Sequence, residues 1–308
     1  MSNQHESMAK EQGLLREAGR RHLVRGLRAA LRGERSRLRD HPQKKPLGLG
    51  EIIQEGGVMG TSQTLTGKSI ADDKHSVART VVLHLLPGML MVAFYVVAAP
   101  VVRGLGFPSL MAIYLAILFV LIPFELGYLL YRAGKSGTSL SGMMLYWESV
   151  PKGQFAALVL GLFVWSSIFY VLIYPPLDAF FIENAFSWLP DAFFLVEDFS
   201  RYSTAALVTT WVLGFVVNAV AGPVVEEMYF RGYLLPRISR FRAWAPLVNA
   251  VLFSVYHFFT PWQNAGRILG LLPMVYAAWW KRSIYVSIGA HVLGNVSVML
   301  LLLPVFFG

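Results

Sequence analysis

After residue 80 the chain is a succession of apolar stretches, most near the roughly 20 residues a helix needs to cross a hydrocarbon core about 30 Å thick. They fall at about 81–102, 108–131, 154–174, 204–236, 244–260, 267–280 and 283–303. Backbone N–H and C=O groups find no water inside a bilayer, so such segments close their hydrogen bonds internally, as helices. A soluble domain of this size holds one such stretch as a buried core helix, not six or seven. The expected fold is therefore all-α: a polytopic transmembrane helix bundle of about seven spans. Composition agrees, with 55% hydrophobic and only 15% charged residues, the latter well below the share usual for a soluble domain. The stretch 267–280 is short for a span, and 204–236 is long enough to be kinked.

Charge sets the expected orientation. Before residue 46, 12 Lys and Arg stand against 5 acidic residues, and they supply most of the net charge of +9. Further basic residues are Arg132, Lys135 and Lys152, then Arg237, Arg240 and Arg242, then Lys281 and Arg282. The intervening stretch 175–203 is acidic, with Asp178, Glu183, Asp191, Glu197 and Asp198. An N-terminus inside places every basic cluster on the cytoplasmic side and the C-terminus outside after seven spans. The N-terminal block reads as a topology signal and a contact for anionic lipid, with no nucleic-acid role expected. No apolar run follows its charges as in a signal peptide. Val24, Leu27, Leu31 and Leu38 recur at helical spacing among arginines, the pattern of an amphipathic surface helix. A partly helical, solvated tail fits the same pattern. From Pro46 to Gly67, Gly, Ser and Thr read as a flexible linker. Three regions result: a basic cytosolic tail and linker over 1–79, accessory transmembrane helices over 80–203, and a polar-centred transmembrane core over 204–308. There are no cysteines, which excludes disulfides, thiolate metal sites and a cysteine nucleophile.

The core region holds polar residues that hydrocarbon penalises. A charged side chain at mid-bilayer costs about 2.5–3.5 kcal/mol even on the lenient insertion scale. Glu226, Glu227 and Arg231 fall within six residues of one another, downstream of Gly222-Pro223. Pro223 suits a helix start or a kink in a longer helix. Glu227 and Arg231 are four apart, the favourable order for an ion pair. Glu226 points about 100° away from them, so the arithmetic leaves one compensated pair and one spare carboxylate. Asn249, Phe253 and His257 form an i, i+4, i+8 stripe, and His291 and Asn295 share a face of the last span. If Arg237–Arg242 mark the cytoplasmic edge, Glu226 lies roughly 16–24 Å above it at about 1.5 Å per residue. By the same rise His257 comes out at about 22 Å and His291, counted from Arg282, at about 14 Å. The three groups can thus meet in one intramembrane cavity, a coincidence core packing does not require. Two blander roles exist: a Glu–Arg pair that only locks helices, and a histidine that is only a helix contact. Glu125, His84 and Asn218 lack such company and read as helix-packing or interfacial residues.

At these residues the chain resembles the CAAX-endopeptidase and bacteriocin-processing (CPBP, or Abi) family of intramembrane endopeptidases. The family pattern runs EExxxR, FxxxH and HxxxN or HxxxB on successive membrane helices. Here it stands as Glu226-Glu227-Met-Tyr-Phe-Arg231, Phe253-Ser-Val-Tyr-His257 and His291-Val-Leu-Gly-Asn295. The resemblance covers about residues 205–303, with no departure from the motifs. No HExxH, GxGD or Gly-x-Ser-x-Gly setting of other intramembrane proteases is found.

The resemblance implies peptide hydrolysis in a cell membrane, on a membrane protein or lipidated peptide. The residues suit an activated water, with Glu226 and His257 removing its proton. His291 and Asn295 would donate to the oxyanion, and Glu227 and Arg231 would hold the others in place. No cofactor is needed for this route. A zinc version, with Glu226, His257 and His291 as ligands, uses the same residues, and family members are commonly labelled metalloproteases. The metal-free version is favoured because no obvious carboxylate accompanies either histidine. Two other classes compete: a non-catalytic immunity or scaffold protein keeping the fold, and a proton-coupled transporter. A scaffold has no need of a spare Glu226, and no internal repeat of transporter type is found.

Overall fold

The computed structural model describes residues 73–189 and 197–307. The expected amphipathic helix, the linker and Asp191 lie outside the described residues. Seven principal helices follow in order: α1 Val77–Gly104, α2 Ser109–Lys135, α3 Lys152–Ala185, α4 Thr204–Arg237, α5 Ala245–Val255, α6 Asn264–Lys281 and α7 Ile284–Phe307. Five of them, α1 to α4 and α7, are long and apolar enough to cross a membrane by length and composition. The other two, of 11 and 18 residues, occupy the places of the fifth and sixth expected spans. No strand occurs among the described residues, and one isolated antiparallel bridge joins Trp147 to Ser283.

Prolines account for the widened turns in three of the long helices, α2, α3 and α4. A proline removes one backbone donor and crowds the carbonyl four residues back, which a locally widened, π-type turn relieves. Such turns cover Ile117–Leu121, Phe169–Ile173, Phe215–Ala221 and Glu227–Leu234. Each ends just before a proline: Pro123, Pro175-Pro176, Pro223 and Pro236. The expected kink in the fourth span is thus two successive widenings. The third span runs past its expected end near 174 for the same reason, since α3 absorbs the double proline and carries Asp178 and Glu183 as helical residues. The fifth ends earlier than expected, because the chain turns at Tyr256–Thr260 before Pro261. His257 therefore sits just beyond α5, not on it.

Close approaches fix the helices around the second half of α4. Tyr229, Phe230, Tyr233 and Leu234 are fully buried there, and the Tyr229 hydroxyl donates to the Leu83 carbonyl of α1 at 2.8 Å. Gly88 of α1 lies against the backbone of Tyr256, where a Cβ would come 1.8 Å from its carbonyl oxygen. Only glycine allows that approach, which seats the turn after α5 on α1. The first residues described are held at the C-terminal end of α4. Asp73 pairs with Arg132 of α2 at 2.7 Å, Arg237 of α4 at 3.3 Å and Arg79 of α1 at 3.4 Å. These arginines overcome burial and hold its carboxyl below the usual range. His75 beside it is buried. Burial, then the charge of Arg79, pushes its pKa down to about 3.

Candidate active site

The middle of α4 lies between two widened turns, and that places consecutive carboxylates in different surroundings. Glu227 and Arg231 are both fully buried and pair at 3.2 Å, as the i, i+4 spacing predicts. The Arg231 guanidinium also lies 4.0 Å from the centroid of the Phe253 ring, a cation–π contact that desolvation strengthens. Glu226 is 7% exposed and opens on the other side, into a cavity of about 380 Å³.

That cavity collects what the sequence scatters. His257, His291 and Asn295 line it with Glu226. From α7, His291 sets Nδ1 on Glu227 Oε1 at 2.9 Å and Nε2 at 4.0 Å from Glu226 Oε2. A carboxylate only accepts, so the Nδ1 of His291 carries its proton toward Glu227. His257 places Nδ1 on the Phe253 carbonyl at 2.9 Å, and a carbonyl likewise only accepts. Neutral His257 therefore keeps its lone pair on Nε2. The Phe253 ring is 5.2 Å from that of His257 and 6.3 Å from that of His291. Asn295 donates one amide N–H to the Asn218 carbonyl at 2.9 Å, which leaves its second N–H unspent.

Residues 208–297 match the family model described as type II CAAX prenyl endopeptidase Rce1-like. The chain carries an Rce1-like domain. The match is consistent with a CPBP-family intramembrane protease and supports endopeptidase activity in a membrane protein. All six residues singled out from the motifs lie inside the matched segment. Neither a curated protein nor a solved structure matches the chain.

Several sequence expectations are corrected within the Rce1-like domain. Glu226 is not spare: the Tyr256 hydroxyl donates to its Oε1. His291 is not without a carboxylate neighbour, since Glu227 bridges it to Arg231. Both corrections have one cause: the partners come from helices that sequence spacing cannot bring together. Asn218, read as a packing residue, lines the cavity. His84 does pack helices, with Nδ1 on the Thr80 carbonyl and Nε2 accepting from Asn249 at 3.0 Å. Asn249 also donates to the Phe230 carbonyl of α4 at 3.1 Å, so it ties α5 to α1 and α4. Glu125 is fully buried with no hydrogen-bond partner among the described residues, within electrostatic reach of Glu226, Arg231 and Glu227.

The zinc alternative meets a geometric difficulty. Among the described residues no three His, Cys, Asp or Glu side chains converge as a group that could hold a metal ion. Glu226, His257 and His291 share the cavity but are not gathered as a preformed ligand set. Two cavity residues escaped the sequence reading. Tyr256 stands inside the FxxxH motif at an unspecified position. Arg267 is a cation at the start of an expected span, which was the available signal.

Proposed function

We propose that this protein is an intramembrane endopeptidase in which Glu226 and His257 activate a water for attack on a peptide carbonyl. The observation that carries this reading is the division of labour around Glu226. Tyr256 occupies Oε1, while Oε2 faces His291 and the cavity. A water placed there would find two acceptors, Glu226 Oε2 and His257 Nε2, and proton removal by positioned groups contributes typically about 10²–10⁴-fold. The proton taken up would pass to the leaving amine as the tetrahedral intermediate collapses.

His291 has a different part. With Nδ1 bound to Glu227, it offers a donor at Nε2 only as the imidazolium. It and the second N–H of Asn295 are the proposed donors to the oxyanion, each of a kind worth about 2.7–4 kcal/mol. Glu227 and Arg231 position them. The route proposed is metal-free, and cleavage should persist in protein stripped by chelators.

We place the protein in the cell membrane with its N-terminus cytoplasmic. Its substrate would be a membrane protein or lipidated peptide, and its basic tail would meet anionic lipid, not nucleic acid. Comparative proteomics of membranes carrying wild type or Glu226→Ala tests the reading. New peptide termini should form with wild type alone; termini that form equally with both would overturn it.

A further inference from the structure

Arg267 stands in the first turn of α6 and lines the same cavity as Glu226, His257 and His291. It is 9% exposed, deep in a membrane protein, where an uncompensated charge is costly and marks a functional position by default. Its four hydrogen bonds all go to neutral oxygens. Nη2 donates to Thr260 Oγ1 at 2.8 Å and to Gln263 Oε1 at 2.9 Å. Nη1 donates to the Ser254 carbonyl and to Asn264 Oδ1, both at 3.3 Å. The remaining donor, Nε–H, has no partner, and no described carboxylate comes within ion-pair distance. The nearest acidic groups, Asp178 on α3 and Glu226, act on it only from further away.

This differs from the other buried arginines. Arg231 has Glu227 and Arg237 has Asp73, so each has a carboxylate at ion-pair distance. Arg267 is instead oriented by dipoles that hold the guanidinium still without cancelling its charge. The backbone behind it is also fixed. A Cβ on Gly266 would come 2.9 Å from the Tyr174 ring, and one on Gly270 would come 3.1 Å from the Tyr174 hydroxyl. The α6 helix is therefore seated tightly on α3. A fixed cation with an unfilled counter-ion place, in a cavity that otherwise admits a peptide, selects for an anion carried by that peptide.

We infer that Arg267 is a substrate subsite for a carboxylate lying close to the scissile bond. This rests on the peptidase reading of the cavity, but its test is a binding measurement that needs no turnover. The carboxylate has two possible sources, the free end of a peptide or an acidic side chain, and the probes separate them. Three fluorescent N-acyl dipeptides serve: leucyl-leucine as the free acid, leucyl-leucine amide, and leucyl-glutamic acid α-amide. Each is titrated into the purified full-length protein in detergent and followed by polarisation.

At least one acid should bind the wild type about tenfold or more tighter than the neutral amide, the size of one charge-assisted contact. The tighter acid names the source. Arg267→Gln should erase the preference, and Arg267→Lys should keep part of it. Equal binding of acids and amide by the wild type, or no binding of any of them at millimolar concentration, overturns the inference. A preference that survives in Arg267→Gln does so too. The wild-type comparison stands even if the Gln variant fails to fold.

Discussion

Two buried clusters of carboxylates and arginines lie along α4, and they differ in which sign is in surplus. At the Arg237 end one carboxylate, Asp73, faces three arginines from α1, α2 and α4. At mid-helix one arginine, Arg231, pairs with Glu227 alone, while Glu125 and Glu226 lie nearby without an ion pair to it and His291 stands between Glu226 and Glu227. The first arrangement leaves no group able to take a proton in a reaction, and it fastens three helices and the incoming chain. The second has more acceptors than its cation can neutralise and opens the surplus into a cavity. Surplus sign and access to space, more than the presence of an ion pair, separate a fastening from a site.

The largest expected effect falls on the histidines of the carboxylate-rich cluster. His257→Ala and His291→Ala should each lower peptide cleavage by more than about 100-fold, with insertion and melting temperature near wild type. Near-normal cleavage by both would dissolve the distinction between the clusters. Next come the partners inside that cluster. Glu227→Ala or Arg231→Ala strands a buried charge and should cost about 3–5 kcal/mol of stability, as well as activity. Glu227→Gln combined with Arg231→Met should recover part of the stability and none of the activity. Unchanged melting of the single variants would show that the 3.2 Å pair carries no stability.

The arginine-rich cluster should answer in stability alone. Asp73→Asn should lower the melting temperature while the folded protein cleaves at the wild-type rate. Its pH dependence follows from two depressed values. His75 is pushed from 6.5 to about 3 and Asp73 below 3.8. In both cases the unfolded chain binds more protons, so stability rises with pH. The His75 contribution is whole above pH 6.5 and is lost as pH falls from there to about 3. Arg79, Asp73, Arg237 and Arg132 surround it and set the local charge. His75→Phe should flatten the melting-temperature profile over that range; an unchanged slope would place the acid sensitivity elsewhere. The smallest effect is expected beyond both clusters. A chain starting at Ala71 keeps Asp73 and should cleave a small peptide at close to the full rate. The isolated tail should sediment with anionic vesicles at low salt and leave them at high salt.

The contrast between the clusters also marks what sequence could and could not convey. Helical class and the order of seven principal helices were legible, five of them long and apolar enough to cross a membrane, because apolar length is a local property and hydrocarbon permits little else. The Glu227–Arg231 pair was legible for the same reason, its partners being one turn apart. The cavity was legible only as overlapping depths, since each helix fixes height but not rotation about its axis. Tyr256 on Glu226, Glu227 on His291 and Asn249 on His84 all join distant segments, and no spacing rule reaches them. The early end of α5 was missed because Phe258 and Phe259 carry the apolar run on toward Pro261. The proline-linked widenings were half legible: each proline was visible, but whether the helix would break or dilate depended on its neighbours. Arg267 was visible and passed over, hidden in the segment least like a span.

The central claim is that Glu226 belongs to the chemistry and not to the fastening. It is tested most directly by the rate at which purified Glu226→Gln hydrolyses a peptide that the wild type cleaves, with melting measured on the same sample. The substitution keeps the shape and a hydrogen-bond acceptor for Tyr256 while removing the proton-accepting charge. The expected result is cleavage reduced by more than about 100-fold in a protein that melts at or above the wild-type temperature. Cleavage within a few-fold of wild type in that folded variant would contradict the account.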